Sequence, residues 1–341
     1  MRRILTYGIL ILLITAGLVV ERSAAQLIPN LGGQRVGISA FQFLKIGVGA
    51  RGEALGETFT AVANDASALY WNPAGLTQFT ETQVMFAHTE YVVDIKHEFF
   101  GAVFHPTPSD AIGASVISLH TQDMPVTTEA QPFGTGEYFS YGDFALGLTY
   151  AKRMTDQFSF GITGRYVEET LDVLKMRGLM VDLGTYYWTG LGSSRFAIVI
   201  SNFGGDVTPT GTVTEYGGQQ VSTFQSFSPP TVFKIGLAME PYQTDEQRLT
   251  TSVELNHPND NAENVHLGVE YQWEQWLFLR AGLKRTIGER LLGEDNSSSE
   301  SYSFGFGVSA PVAQMHVNFD YAYANFALLG YTQRLTIALS Y

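Results

Sequence analysis

From about residue 83 to the C-terminus, large apolar side chains return at every second position. Val265, Leu267, Val269 and Tyr271 alternate with His266, Gly268, Glu270 and Gln272. Tyr302, Phe304, Phe306 and Val308 alternate with Ser303, Gly305, Gly307 and Ser309. Met315, Val317, Phe319, Tyr321 and Tyr323 alternate with Gln314, His316, Asn318, Asp320 and Ala322. Successive side chains on a strand point to opposite faces, so each segment has one apolar face and one polar or small face. A soluble β-sandwich alternates too. What the polar faces carry and how the connections are distributed decide between it and a membrane barrel.

Fourteen segments read as strands: 84–93, 97–105, 110–119, 140–151, 156–168, 177–188, 194–203, 231–240, 247–256, 264–272, 276–284, 302–309, 314–323 and 332–341. Most are near the ~9–11 residues that cross a bilayer at a tilt. Connections after even-numbered strands are short, as in 106–109, 152–155 and 273–275. Those after odd-numbered strands are longer (120–139, 169–176, 204–230, 257–263, 285–301 and 324–331), apart from the tight 94–96 link. Short turns at one end and long loops at the other are the signature of a transmembrane barrel. The expected fold is therefore all-β, a transmembrane antiparallel β-barrel of about 14 strands over 83–341. An even strand number places both chain ends on the short-turn, periplasmic side.

The N-terminus fits export. Met1-Arg2-Arg3, an apolar run from Ile4 to Val20 and the small residues Ser23-Ala24-Ala25 form a signal peptide over 1–25, with cleavage expected before Gln26. The chain has no Cys, which excludes a disulfide framework, thiolate metal sites and a Cys nucleophile. Its net charge is −13. Without residues 1–25, which hold Arg2, Arg3, Arg22 and Glu21, it becomes −15, a surface that repels nucleic acid. The expected location is the outer membrane of a Gram-negative-type bacterium. The expected partners are its lipid and the barrel-insertion machinery. The last strand supplies an insertion signal, with Leu335, Ile337, Leu339 and the terminal Tyr341 on one face.

Residues 26–82 lack the alternation. Stretches 53–63 and 66–71 read as short helical or irregular pieces, with Asp65 capping the second and Asn72-Pro73 ending it. Such a segment is a natural hatch or plug for a lumen that would otherwise stand open. Gly47-Val48-Gly49-Ala50-Arg51-Gly52 matches G-x-G-x-x-G, yet no βαβ unit follows, and an acidic strand end about 20 residues on is missing. Close packing of these glycines against the barrel wall is expected instead. The seven His are scattered, without H-E-x-x-H or an i, i+4 pair, and no G-x-S-x-G occurs. No catalytic, cofactor or metal site is expected, and Asp260, Glu263, Glu294, Asp295 and Glu300 read as solvated loop carboxylates.

The polar faces carry charges of both signs: Arg165, Asp182, Lys234, Glu254, Glu270, Arg280, Lys284, Asp320 and Arg334. Facing lipid, such groups cost roughly 2–4 kcal/mol near the midplane, so they belong in the lumen. There they are expected to pair with one another and with Lys45, Arg51 and Asp65 of the plug.

The stretch Phe43 to Leu76, with Phe43-Leu44-Lys45-Ile46-Gly47-Val48-Gly49-Ala50-Arg51-Gly52 and Asn64-Asp65-Ala66-Ser67-Ala68-Leu69-Tyr70-Trp71-Asn72-Pro73-Ala74-Gly75-Leu76, resembles the N-terminal signature of the PorV/PorQ family. These outer-membrane proteins are related to FadL-type fatty-acid channels. The resemblance implies a fourteen-stranded barrel with an N-terminal hatch that holds Asn72, Pro73, Ala74 and Gly75. It also implies a non-catalytic role in protein export of the type IX kind, with secretion-system proteins and exported cargo as partners. The alternative it implies is a FadL-like channel for hydrophobic solutes such as long-chain fatty acids.

Overall fold

A computed structural model describes residues 37–214, 218–286 and 302–341. The expected signal peptide, the first part of the hatch and the loop carboxylates Glu294, Asp295 and Glu300 lie outside the described residues.

Fourteen antiparallel strands close into a barrel. They are β1 (Gln83–Glu90), β2 (Lys96–Thr107), β3 (Asp110–His120), β4 (Tyr141–Arg153), β5 (Phe158–Leu171), β6 (Leu174–Trp188) and β7 (Arg195–Gly204). Then come β8 (Val232–Gln243), β9 (Gln247–Pro258), β10 (Asn264–Trp273), β11 (Leu277–Thr286), β12 (Tyr302–Val312), β13 (Met315–Asn325) and β14 (Tyr331–Ser340). Each pairs with its sequence neighbours, and β1 pairs with β14, with Phe86 opposite Ile337. Thr82 and Tyr341 exchange both backbone hydrogen bonds (3.1 and 2.9 Å), which extends the seam to the C-terminus. Closure leaves no sheet edge with unpaired N–H and C=O groups, as a wall facing hydrocarbon requires.

The expected strand ends hold to within a few residues except at 169–176. There β5 and β6 run on until Leu171 faces Leu174, so a two-residue turn at Asp172-Val173 replaces the expected loop. Asp172 takes a left-handed backbone (φ 53°), which lets so short a link reverse the chain. Arg177 pairs with Glu168 across the two strands at 2.8 Å.

The outer face is apolar and open to its surroundings. Leu148 is 65% exposed and Ile337 49%, with Phe100, Ile112, Leu237 and Leu279 alike. A continuous band of this kind is stable only against lipid or a partner. Aromatics flank it at both ends. Trp273 and Trp276 lie 5.7 Å apart at the short-turn end, and Tyr323 stacks on Phe304 (4.9 Å) and Tyr331 (5.4 Å) near the long loops.

Residues 38–82 enter this barrel and touch its inner wall. They include a 3-10 turn (Gln42–Lys45), helices α1 (Ala50–Ala54) and α2 (Ala68–Trp71) and a second 3-10 turn (Pro73–Gln78). Residues 55–63, expected to be partly helical, form turns. The insert starts at the long-loop end, where Ala40 N–H donates to Ser228 O (3.0 Å). It finishes at the short-turn end, where Trp188 Nε1 donates to Gln78 (2.9 Å). Both ends of the barrel-forming strands, Gln83 and Tyr341, sit on the expected short-turn side, while residues 38–41 lie at the long-loop end. The segment descends the whole lumen before β1 begins.

Candidate functional site

The candidate site is the filled lumen. Its central anchor is Trp71, 1% exposed. The indole Nε1 donates to Val48 O (2.9 Å), and the ring stands edge-on to Tyr70 (4.9 Å) and Phe59 (5.9 Å). Gly47 and Gly52 lie against this indole, where a Cβ would come within 2.7 and 2.8 Å of ring carbons. The glycine-rich stretch thus packs mainly against the insert's own tryptophan. The barrel wall, where sequence reasoning put it, meets Gly49 beside Met85 and reaches Gly47 O through Arg334.

Asn72 joins insert to wall. Its Nδ2 donates to Thr60 O (2.9 Å) and Thr185 O (3.1 Å), and its Oδ1 accepts from Ala74 N–H (3.0 Å). Pro73 opens the following 3-10 turn, where its missing N–H costs nothing. Pro73 and Ala74 rest on Gly161 and Gly184, and a Cβ on Gly161 would lie 2.7 Å from Pro73 Cβ. Gly75 abuts Ala63, whose carbonyl would sit 2.7 Å from an added Cβ. The same device recurs around the barrel: Gly101 faces Leu69, Gly236 faces Ala61, Gly282 faces Gly56 and Gly305 faces Ala54. The small residues alternating along the strands are where the insert's backbone reaches the wall.

The lumen has two unlike halves. On β1–β7 the buried inward side chains are mostly apolar, among them Met85, Phe99, Val103, Ile117, Val167 and Met180. On β8–β14 they are polar or charged. Arg280 spans Glu270 (2.7 Å) and Asp320 (2.6 Å), and Glu270 also holds Arg51 of the insert (2.9 Å). Arg51 reaches back to Asp65 (2.9 Å), whose carboxylate also accepts from Ser67 N–H (2.9 Å). Burial works against the Arg51 charge, but Glu270 and Asp65 outweigh it and hold its pKa above the usual value. Arg334 pairs with Glu53 (2.7 Å), both 1% exposed, and donates to Gly47 O. Arg165 pairs with Asp182 (2.7 Å) and donates to Asn202 (2.9 Å), inside the apolar half.

Two expected network members and two expected loop carboxylates behave differently. Glu254 makes no ion pair among the described residues and accepts Thr60 N–H (2.9 Å). Lys45 leaves the lumen network for Asp260 (3.0 Å). Asp260 and Glu263 are buried, not solvated, with Gln42 also donating to Asp260 (2.7 Å) and Glu263 beside His257 (3.1 Å). Burial raises the Asp260 pKa, yet the Gln42 hydrogen bond and the Lys45 charge hold it below the ordinary range. Sequence reasoning missed Glu53, Glu57 and the Arg195–Glu240 pair (2.7 Å). Glu57 meets Lys284 at 3.0 Å.

Two cavities remain. One of about 530 Å³ opens toward the short turns among Arg51, Asp65, Glu246, Arg248 and Arg280. One of about 250 Å³ lies toward the long loops among Leu44, Lys45, Tyr70, Lys234 and Lys284. No group of three metal-ligating acids or histidines occurs among the described residues.

A closed fourteen-stranded barrel with an apolar belt, filled by its own N-terminal segment, defines an insert-filled transmembrane β-barrel. Residues 19–147 match the model of a family described as Uncharacterised protein family UPF0164. No curated protein matches the sequence. Among solved structures, the barrel is similar to the CymD monoaromatic hydrocarbon channel (TM-score 0.58, 14% identity, 88% of this chain and 98% of that one). It is also similar to the Ralstonia pickettii toluene transporter TbuX (0.57, 13%, 86% and 97%). The Pseudomonas putida toluene transporter TodX is a third such structure (0.57, 12%, 86% and 97%). At these identities the likeness is one of fold.

Proposed function

We propose that this chain is an outer-membrane channel for small hydrophobic solutes, of the FadL-like kind, with residues 26–82 as its hatch. The observation that carries the reading is the insert that runs the full length of a fourteen-stranded barrel. An insert held on glycines and ion pairs blocks free diffusion yet is not covalently fixed. CymD, matched over nearly its whole length, is a monoaromatic hydrocarbon channel, and TbuX and TodX, matched likewise, are toluene transporters. The apolar half of the lumen gives such a solute a compatible wall. The expected signal peptide and the apolar belt support the outer membrane as its location. This ranking reverses the order implied by the PorV/PorQ resemblance, where the type IX export role came first. The fold comparisons favour the channel, and export stands second.

A deletion strain scored for both activities tests the proposal. Uptake of toluene and of oleate is expected to fall while surface cargo is unchanged. Unimpaired uptake with cargo retained inside the cell would establish the export reading instead.

A further inference from the structure

Asp143 on β4 and Glu169 on β5 stand directly opposite each other in the strand register, at the long-loop end of the wall. Asp143 is 4% exposed, and its Oδ1 meets no hydrogen-bond donor among the described residues. Its Oδ2 accepts the Tyr141 hydroxyl (2.8 Å). Glu169 is half-buried, and its Oε2 accepts Phe41 N–H of the insert (2.9 Å). Among the described residues no Lys, Arg or His nitrogen lies within 4.0 Å of either carboxylate.

The surrounding elements add no countercharge. Leu119 on β3 flanks Asp143 and Met176 on β6 flanks Glu169, with His97 one strand beyond Leu119. Lys175 and Arg177 lie on the other face of β6 and hold Glu168. The insert brings the uncharged Phe41. Like charges directly opposite on a sheet are destabilising, and burial without a countercharge favours the neutral form of a carboxyl group. Two carboxyl groups so placed retain one proton between them.

We propose that Asp143 and Glu169 share one proton, and that its loss releases the start of the hatch. Only Glu169 has a way out of the pair, because Asp143 is buried and fixed by Tyr141. While the pair holds its proton, Glu169 stays on Phe41. When the proton passes to water, both groups are anionic, and repulsion turns Glu169 toward solvent and away from the Phe41 N–H. Phe41 has a left-handed backbone (φ 55°, ψ 40°), unfavourable for a residue with a side chain and relieved once the tether is gone. Its ring lies against β6 and the 205–230 loop, where a Cβ on Gly178 would meet both Phe41 (3.2 Å) and Val207 (3.1 Å). The tether thus governs where the hatch joins the external mouth. Docking is favoured at lower pH and weakens as pH rises through loss of the shared proton. The latch does not rest on the channel reading, since a hatch is docked in either role.

Hydrogen exchange of the full-length protein in detergent tests it, read by mass spectrometry on the peptide carrying amides 39–44 and corrected for the intrinsic rate at each pH. Between about pH 6 and about pH 9, protection is expected to fall about tenfold per pH unit over the range in which one proton leaves. The Asn72 amide, bonded to Ala68 O deep in the insert (3.1 Å), should keep its protection. Asp143→Asn removes one charge and keeps the shape, and is expected to leave protection at 39–44 high and flat with pH. Glu169→Gln keeps an acceptor for Phe41 and is expected to do the same, so misfolding of one variant does not decide the matter. Flat protection in the native protein, or undiminished pH dependence in either folded variant, overturns the latch. Protection at about pH 6 that EDTA abolishes also overturns it, because a dication and not a proton would then neutralise the pair.

Discussion

Arg334 and Glu53 show what a single charge does inside this lumen. Both are 1% exposed, 2.7 Å apart, and joined to the insert backbone through Gly47 O. Deleting one partner strands the other in a dry site, which costs about 3–5 kcal/mol, whereas removing both is far milder. Arg334→Met is therefore expected to destabilise the folded barrel by that amount in urea titrations followed by heat-modifiable gel mobility. Adding Glu53→Gln should recover a large part of the loss, and a double-mutant cycle without coupling would contradict the pairing. Residue by residue, the sequence was legible on both sides of Arg165–Asp182 and Arg280–Glu270, but on one side only of Arg334–Glu53 and Lys284–Glu57. Arg334, Arg280 and Glu270 stand at inward positions of regular strands, so period two marks them. Glu53 and Glu57 sit in a segment of single turns, where no period tells a lumen-facing carboxylate from a solvated one. Lys45 was expected among lumen charges because nothing in the sequence says that Asp260 folds in over the mouth.

At the level of elements, strands and insert are fitted by absence of side chains. The wall glycines are the points where the hatch backbone touches the barrel, and Gly282 meets Gly56 with room for no Cβ. Overpacking of this kind costs about 1–3 kcal/mol. Gly282→Val is expected to lift α1 from the wall and raise the undocked fraction of the insert, on the order of tenfold. Planar-bilayer recordings should then show larger spontaneous conductance than the native protein, and identical traces would mean that this contact does not hold the hatch. Strand existence could be read from alternation, and strand ends mostly from turn residues. The Asp172-Val173 turn could not, because the polar stretch 169–176 continues as paired strand beyond the apolar belt, where alternation of large apolar residues no longer marks it. Which glycines mark a contact, and which merely alternate, also depends on the insert's path, and that path has no sequence signature outside Asn72-Pro73.

The whole molecule has a direction. Residues 38–45 hang from Ser228, Glu169 and Asp260 at the long-loop end, and Phe79 to Thr82 leave at the other. With the long loops outside the cell, Ile38, half exposed, is expected to be reachable from the medium. The chain has no Cys, so Ile38→Cys gives a single reporter. A membrane-impermeant maleimide should label it on intact cells, while Asp245→Cys, in the turn between β8 and β9, should need lysed cells. The reverse pattern would invert the barrel. The insert's path also bears on how the molecule is made. Thr60 N–H on Glu254, Ala50 N–H on Thr336 and Gly56 N–H on Ser303 tie the hatch to β9, β14 and β12. The segment leads directly into β1, whose partner across the seam is β14, more than 240 residues further along the chain. A cylinder already sealed could not be threaded through its length by a chain that enters at one mouth and continues as its wall at the other. The hatch is therefore expected to act as the former around which the sheet is rolled, with the β1–β14 seam as the stitch that closes last; a barrel that closes in refolding before residues 38–82 gain protease protection would overturn that order.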